Sequence, residues 1–151
     1  MISYLAEINK IDCIILRISS AYGYDKRFSD QGVINKWLFN AIMEQSIQIY
    51  NSNNSKINFI SFDQISKAVM TSIDKEIIGL FNIGTEKSIT LQEIINEIIK
   101  ITKKEVKLEQ VHNDTRFFNI NTQKFYKFTG LKIKLNLNED IVKIYNSIKL
   151  N

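Results

Sequence analysis

Short apolar runs alternate with segments of helical spacing along this chain, and a sequence of that kind folds into a layered α/β or α+β structure. Asp12 to Arg17 encloses a continuous apolar run, the type buried on both faces of a parallel sheet. From Gly32 to Glu44, the residues Val33, Ile34, Trp37, Leu38, Ala41 and Ile42 recur at helical spacing. Ile47 to Tyr50 and Ile57 to Phe62 read as short strands separated by a polar turn, Asn51 to Ser55. Asp63 stands where it can cap the next helix, with Ile65, Ala68, Val69 and Ile73 as its inner face. Ile77 to Ile83 is a further strand ending at Gly84.

The most sharply written element follows. Thr90 and Glu93 have the spacing of a capping box, in which hydroxyl and carboxylate satisfy free amides at a helix start. Leu91, Ile94, Ile95, Ile98 and Ile99 then form one apolar stripe. Val106 to Val111 reads as a strand. Asn121 or Thr122 opens a short helix that Gly130 stops, and Leu137 to Ile148 closes the sequence as a helix buried through Ile141, Ile144, Tyr145 and Ile148. Residues 1–9 read as the tail of a helix, and Ser19 to Gln31 as a loop.

With 44% hydrophobic residues, the 151-residue chain can fill a core, and 24% charged residues of mixed sign argue against disorder. The net charge of +4 is spread thinly, and the longest basic run is Lys103-Lys104. Nucleic-acid binding needs clustered cations, so no nucleic-acid partner is expected. Nor is a membrane partner expected, because no apolar stretch approaches the roughly 20 residues needed to span a bilayer. A cytoplasmic location is expected. Cys13 is the single cysteine, which rules out an intramolecular disulfide and a thiolate cage within these residues; its apolar surroundings predict a buried structural thiol. His112 has no nucleophile or carboxylate partner in the pattern, and no metal site is expected.

Several segments, taken in order, resemble the second half of NAD-dependent nucleotide-sugar epimerases and dehydratases of the extended short-chain dehydrogenase/reductase family. They are Leu16-Arg17 with Tyr22-Gly23, Gln31-Gly32-Val33-Ile34, Ile47-Gln48-Ile49-Tyr50, Phe59-Ile60-Ser61-Phe62-Asp63 and Phe81-Asn82-Ile83-Gly84. The run Ile89-Thr90-Leu91-Gln92-Glu93-Ile94 and the closing set Asp114, Lys124 and Gly130 complete the series. The resemblance implies an α/β C-terminal portion of a Rossmann-type fold, mostly the small substrate-binding lobe. It assigns residues 1–31 to the remnant of a dinucleotide-binding domain. Residues 32–151 become mainly the substrate lobe, with a return segment around 57–83 packing on the Rossmann part.

The same resemblance implies NAD(P) in the parent enzyme and a nucleotide diphosphate sugar as ligand, in cell-surface polysaccharide biosynthesis. The five glycines form no Gly-rich cofactor loop, and the catalytic Tyr-x-x-x-Lys is expected upstream of Met1. Tyr22-Gly23-Tyr24-Asp25-Lys26 has those letters but sits in a predicted loop, where side chains four apart need not share a face. The chain alone is therefore expected to lack a catalytic set and to hold no cofactor tightly, with a partner chain able to supply the other half. In the family's nucleotide site, Ser20 occupies a sugar-contacting asparagine position and Val33 and Ile49 lie beside the nucleotide. Ser19 would lie beside the cofactor. Two phosphate-binding arginines are replaced by Ile57 and by Val111-His112, with Arg116 near enough to substitute. Lys56 is next to Ile57 but on the opposite strand face. Gln64 stands in place of an acid. Binding is expected to be weakened or lost. Asp114 reads either as a ribose acceptor or as a solvated loop acid.

Overall fold

The computed structural model describes residues 2–23, 32–112 and 114–149. The element order is α1 (Ile2–Ile8), β1 (Ile14–Ile18), β2 (Ser20–Tyr22), α2 (Gly32–Ile42), β3 (Ile47–Ile49), β4 (Lys56–Ile57), β5 (Phe59–Ser61) and α3 (Phe62–Asp74). Then come β6 (Gly79–Ile83), β7 (Ile89–Thr90), α4 (Leu91–Thr102), β8 (Leu108–Gln110), α5 (Gln123–Thr129) and α6 (Leu137–Lys149). This is the mixed α/β layering that the apolar pattern predicts.

Three strand pairs are parallel: β1 with β6, β2 with β5, and β3 with β8; β4 and β7 pair antiparallel. The main core lies under α2, α4 and α6 against β3, where Ile34, Leu38, Ile47, Ile94, Ile95, Ile98 and Ile141 are all fully buried. Helix α4 forms as its sequence dictates. The Thr90 hydroxyl accepts from Glu93 N at 3.1 Å, and the Glu93 carboxylate accepts from Thr90 N at 2.7 Å. Ile99 falls at the edge of its stripe, 38% exposed. Helix α5 ends at Gly130, whose φ of 72° supplies the left-handed cap.

Four readings need correction. The cap of α3 is Ser61, not Asp63: Ser61 N donates to the Gln64 side chain at 3.1 Å, and Asp63 falls in the first turn. The inner face of α3 holds Ala68 and Ser72, while Val69 and Ile73 are 38% and 57% exposed. Local periodicity cannot say which side of a half-apolar helix meets the core. The predicted loop at Ser19 contains strand β2, because residues 20–22 align with Phe59–Ser61, a partner remote in sequence. Beyond Gly23 that loop, including Tyr24-Asp25-Lys26 and Gln31, lies outside the described residues. Last, β1 is half-exposed, not buried on both faces, and Cys13 just before it is only partly covered. Among the described residues β1 pairs with β6 alone; Ile14 and Leu16 pack on a small apolar cluster around Phe81, while Arg17 and Ile18 are exposed.

Candidate functional site

Helix α2, strand β3 and the start of α4 enclose a cavity of about 220 Å³ lined chiefly by Val33, Lys36, Trp37, Tyr50, Ile57 and Leu91. Strand alternation explains it. Ile47 and Ile49 point into the core at 0% and 1% exposure, so Gln48 and Tyr50 face the other way, into the cavity. Trp37 Nε1 donates to the Gln48 carbonyl at 3.1 Å, and the Tyr50 hydroxyl donates to Gln48 Oε1 at 2.8 Å. These two bonds fix the indole as the floor and the phenol as a wall. The Tyr50 ring is 53% exposed and lies 6.5 Å from the exposed His112 ring. A nucleobase-sized ring can stack on such a surface.

The approach to α2 is held by buried polar groups. Asn35, 0% exposed, accepts from Gly23 N at 3.3 Å and donates to Gly23 O at 2.6 Å. The Tyr22 hydroxyl donates to Asp140 Oδ2 at 2.6 Å, tying β2 to α6. Burial first, then the hydrogen bond and charge of Asp140, push the Tyr22 hydroxyl well above the ordinary tyrosine value. At the start of α4, hydrogen bonds from Thr90 hold Glu93 below the usual carboxylate range.

The predicted site residues separate into three places. Val33 lines the cavity, 38% exposed. The Ile49 side chain is in the core behind it, and its carbonyl accepts from Val111 N at 2.8 Å. Asp114 and Arg116 lie on a segment fastened to the Ser52–Ser55 turn: Ser52 N donates to the Asp114 carbonyl at 2.9 Å, and Arg116 N donates to Ser55 Oγ at 3.0 Å. Their side chains are exposed and line no part of the cavity. Ser19 lies just past the carboxyl end of β1, and Ser20 opens β2. Ser20 N donates to the Asn58 carbonyl at 3.1 Å, and Ser19 N to the Ile83 carbonyl at 3.0 Å. The Ser19 hydroxyl is buried with no hydrogen-bond partner among the described residues.

Beside Ser19, the chain passes Gly84 so closely that a Cβ there would stand 2.4 Å from Asn58 Oδ1 and 2.7 Å from Ile120 Cγ2. Only glycine fits. Asn58, 0% exposed, grips Thr85 from both sides, donating to its carbonyl at 2.8 Å and accepting from its N–H at 3.0 Å. Sequence reasoning missed Asn58, whose role depends on a partner 27 positions away. It also missed Gln48, Tyr50 and Lys36. The first two were readable from the alternation Ile-Gln-Ile-Tyr, and Lys36 from its place one turn after Val33.

A second, more open groove of about 500 Å³ runs between Gly84 and α5, with the Lys132–Glu86 ion pair at 3.4 Å on its wall. Among the described residues, no group of three His, Cys, Asp or Glu is arranged to hold a metal, and no helix is long and apolar enough to cross a membrane.

No family model matches the chain. In sequence it is similar to a dTDP-4-dehydro-6-deoxyglucose reductase of Escherichia coli, 32% identical over an alignment of 143 residues, with 90% of this chain and 45% of that protein covered. In structure it superposes on UDP-glucuronic acid 4-epimerase from Bacillus cereus, in complex with UDP-glucuronic acid and NAD, with a TM-score of 0.86 and 18% identity. That likeness covers 98% of this chain and 48% of the epimerase. The dTDP-glucose 4,6-dehydratase from Bacillus anthracis in complex with NAD gives a TM-score of 0.83 at 18% identity, over 98% of this chain and 48% of that one. The chain thus spans about half the length of the proteins it matches. In fold it corresponds to the C-terminal half of the NAD-dependent nucleotide-sugar epimerases and dehydratases of extended short-chain dehydrogenase/reductase architecture, and in sequence it is similar to part of a sugar-nucleotide reductase.

Proposed function

We propose that this chain is the sugar-nucleotide-binding half of an NAD(P)-dependent enzyme that epimerises, dehydrates or reduces a nucleotide-linked sugar. The observation that carries this reading is the cavity between α2 and β3. Its Trp37 floor, Tyr50 wall and Val33 rim suit a planar base, and its volume of about 220 Å³ is too small for a whole nucleotide sugar. The base would enter the slot, and the phosphates and sugar would run outside it along the surface. Asp114, fixed through its main chain to the Ser52–Ser55 turn, stands as the candidate ribose acceptor.

NAD(P) would supply hydride chemistry, taking a hydride from the sugar and returning it in an epimerisation or dehydration, or giving one to the sugar as NAD(P)H in a reduction. The partnerless Ser19 hydroxyl, at the carboxyl ends of β1 and β6, fits a ring placed there, since ligands of parallel sheets lie beyond those ends. A glycine turn able to cradle the dinucleotide phosphates is not among these 151 residues, so further polypeptide would have to supply it. Domain-wise, residues 1–31 would belong with that polypeptide, and 32–151 mainly with the sugar lobe. Such an enzyme would work in the cytoplasm, making precursors of surface polysaccharide.

A second reading is favoured by Ile57. It lines the slot where the family resemblance puts an arginine, which suits a weakened module that binds ligand without turning it over, alone or beside a partner chain. Calorimetry of the chain with a panel of nucleoside diphosphates and their sugars tests the first reading. Saturable binding of at least one supports it, and no heat from any of them at millimolar concentration overturns it. Binding with no turnover after the missing half is supplied, as a separate dinucleotide-binding domain, would favour the second.

A further inference from the structure

The slot between α2 and β3 has an uneven charge. Among the described residues no carboxylate lines it, and Lys36 is the one charged side chain on its wall. Val33, Lys36 and Asn40 stand three and four residues apart on α2, so they share the helix face turned to the slot. Trp37, 4% exposed, forms the floor, whereas Lys36 is exposed at the rim. Lys36 makes no ion pair among the described residues. By contrast, lysines 100, 104, 107, 132 and 143 each face a carboxylate at 2.9–3.8 Å.

Two of the other cavities differ on this point. The groove at Gly84 has its cation answered by Glu86, and the cavity beside α6 sets Asp63 and Asp140 against Lys143. At the slot, among the described residues, an ammonium group without an ion-pair partner stands beside a ring-sized space floored by an indole. An aromatic floor takes a flat ring, and a flexible point charge at its rim takes an anion attached to that ring without demanding one orientation.

We propose that Lys36 is the phosphate-recognising residue of this site, gripping the diphosphate of a nucleoside diphosphate whose base occupies the slot. This inference rests on the slot being a nucleotide site, and Lys36 then decides for phosphorylated over unphosphorylated ligands. Arg116, the cation expected from the sequence to take this role, does not line the slot.

Trp37 is the single tryptophan, so its fluorescence reports on the slot directly. Titrations of the full chain with uridine and with uridine 5′-diphosphate should give tighter binding of the diphosphate. In Lys36→Met, the diphosphate should lose about tenfold in affinity while uridine is unchanged, and Lys36→Arg should restore most of the loss. Methionine is a good helix former at an exposed position, and thermal melts of each variant separate unfolding from lost contact. If Lys36→Met binds the diphosphate as the wild type does, and Arg116→Met removes its advantage over uridine, Lys36 is overturned with the slot intact. If the wild type binds neither compound, the nucleotide reading fails and takes this assignment with it.

Discussion

Ile34, Leu38, Ile47, Ile94, Ile95 and Ile141 are each fully buried, in a cluster closed by three helices and a strand pair. Around the parallel pair β1–β6 the picture differs. Ile60, Phe81, Ile83 and Phe125 form a smaller cluster, but Ile18 and Ile78 beside it are 45% and 56% exposed. Helix α1 exposes Ile2, Leu5 and Ile8 at 51–61%, and α3 exposes Met70 and Ile73 at 57–58%. A parallel sheet ordinarily has both faces covered by further structure. The lobe that carries the slot completes its own core; the sheet end presents the kind of apolar surface on which more polypeptide packs. The binding lobe should therefore hold its shape by itself, while the sheet end should be the softer part.

Substitutions can break that comparison. Ile94→Ala empties a fully enclosed site in the finished core and should cost about 2–5 kcal/mol in urea unfolding. Leu16→Ala, in the partly covered strand β1, should cost about half as much or less, since less area returns to water. Equal losses would mean the two regions are equally well packed. Sedimentation sharpens the same point: the open edge of β1 should drive concentration-dependent association, and Ile18→Lys should reduce it. A monodisperse monomer at high concentration would contradict an interface-like sheet end.

A middle-sized effect is expected at Tyr22, where the lobe meets β2. Tyr22→Phe leaves the buried Asp140 carboxylate without its donor and should cost about 1–3 kcal/mol. The hydroxyl is held above its ordinary value in the folded protein. Its contribution is then complete below about pH 10, the unfolded tyrosine range, and is lost as pH rises above it. Urea midpoints from pH 8 to 11 should fall at the alkaline end in the wild type and fall less in Tyr22→Phe. Parallel curves would show that Tyr22 is not the group responsible. The smallest effect is at Thr90. Thr90→Ala removes the cap of α4 and should cost about 1 kcal/mol. The lowered Glu93 adds a small part, present above the normal glutamate range and lost as pH falls below it; Glu93 is largely in solvent, which screens it.

Legibility from sequence follows the same division. Helix α4 was readable because its cap and stripe are local, and α2 because six of its apolar residues keep helical spacing. Strand β2 was hidden, since Ser20-Ala21-Tyr22 has no strand pattern of its own and pairs only because Phe59–Ser61 lies alongside. The inner face of α3 was misread for a related reason: Val69 and Ile73 are apolar but lie on the uncovered side. In the site, the resemblance led to Val33, and alternation along Ile47–Tyr50 would have led on to Gln48 and Tyr50. Nothing local marks Asn58, Gly84 and Ser19 as neighbours, because three separate segments bring them together.

The central claim is that a nucleotide base sits on Trp37 in the slot of the binding lobe. The chain has one indole N–H, held by the Gln48 carbonyl at 3.1 Å, and its resonance can be followed in a nitrogen-edited NMR titration with uridine and thymidine diphosphates. The account predicts that this signal and the amides of Val33, Gln48 and Tyr50 shift together and saturate. Shifts confined to the larger groove at Gly84, Asn119 and Gln123, with the indole unmoved, would contradict it.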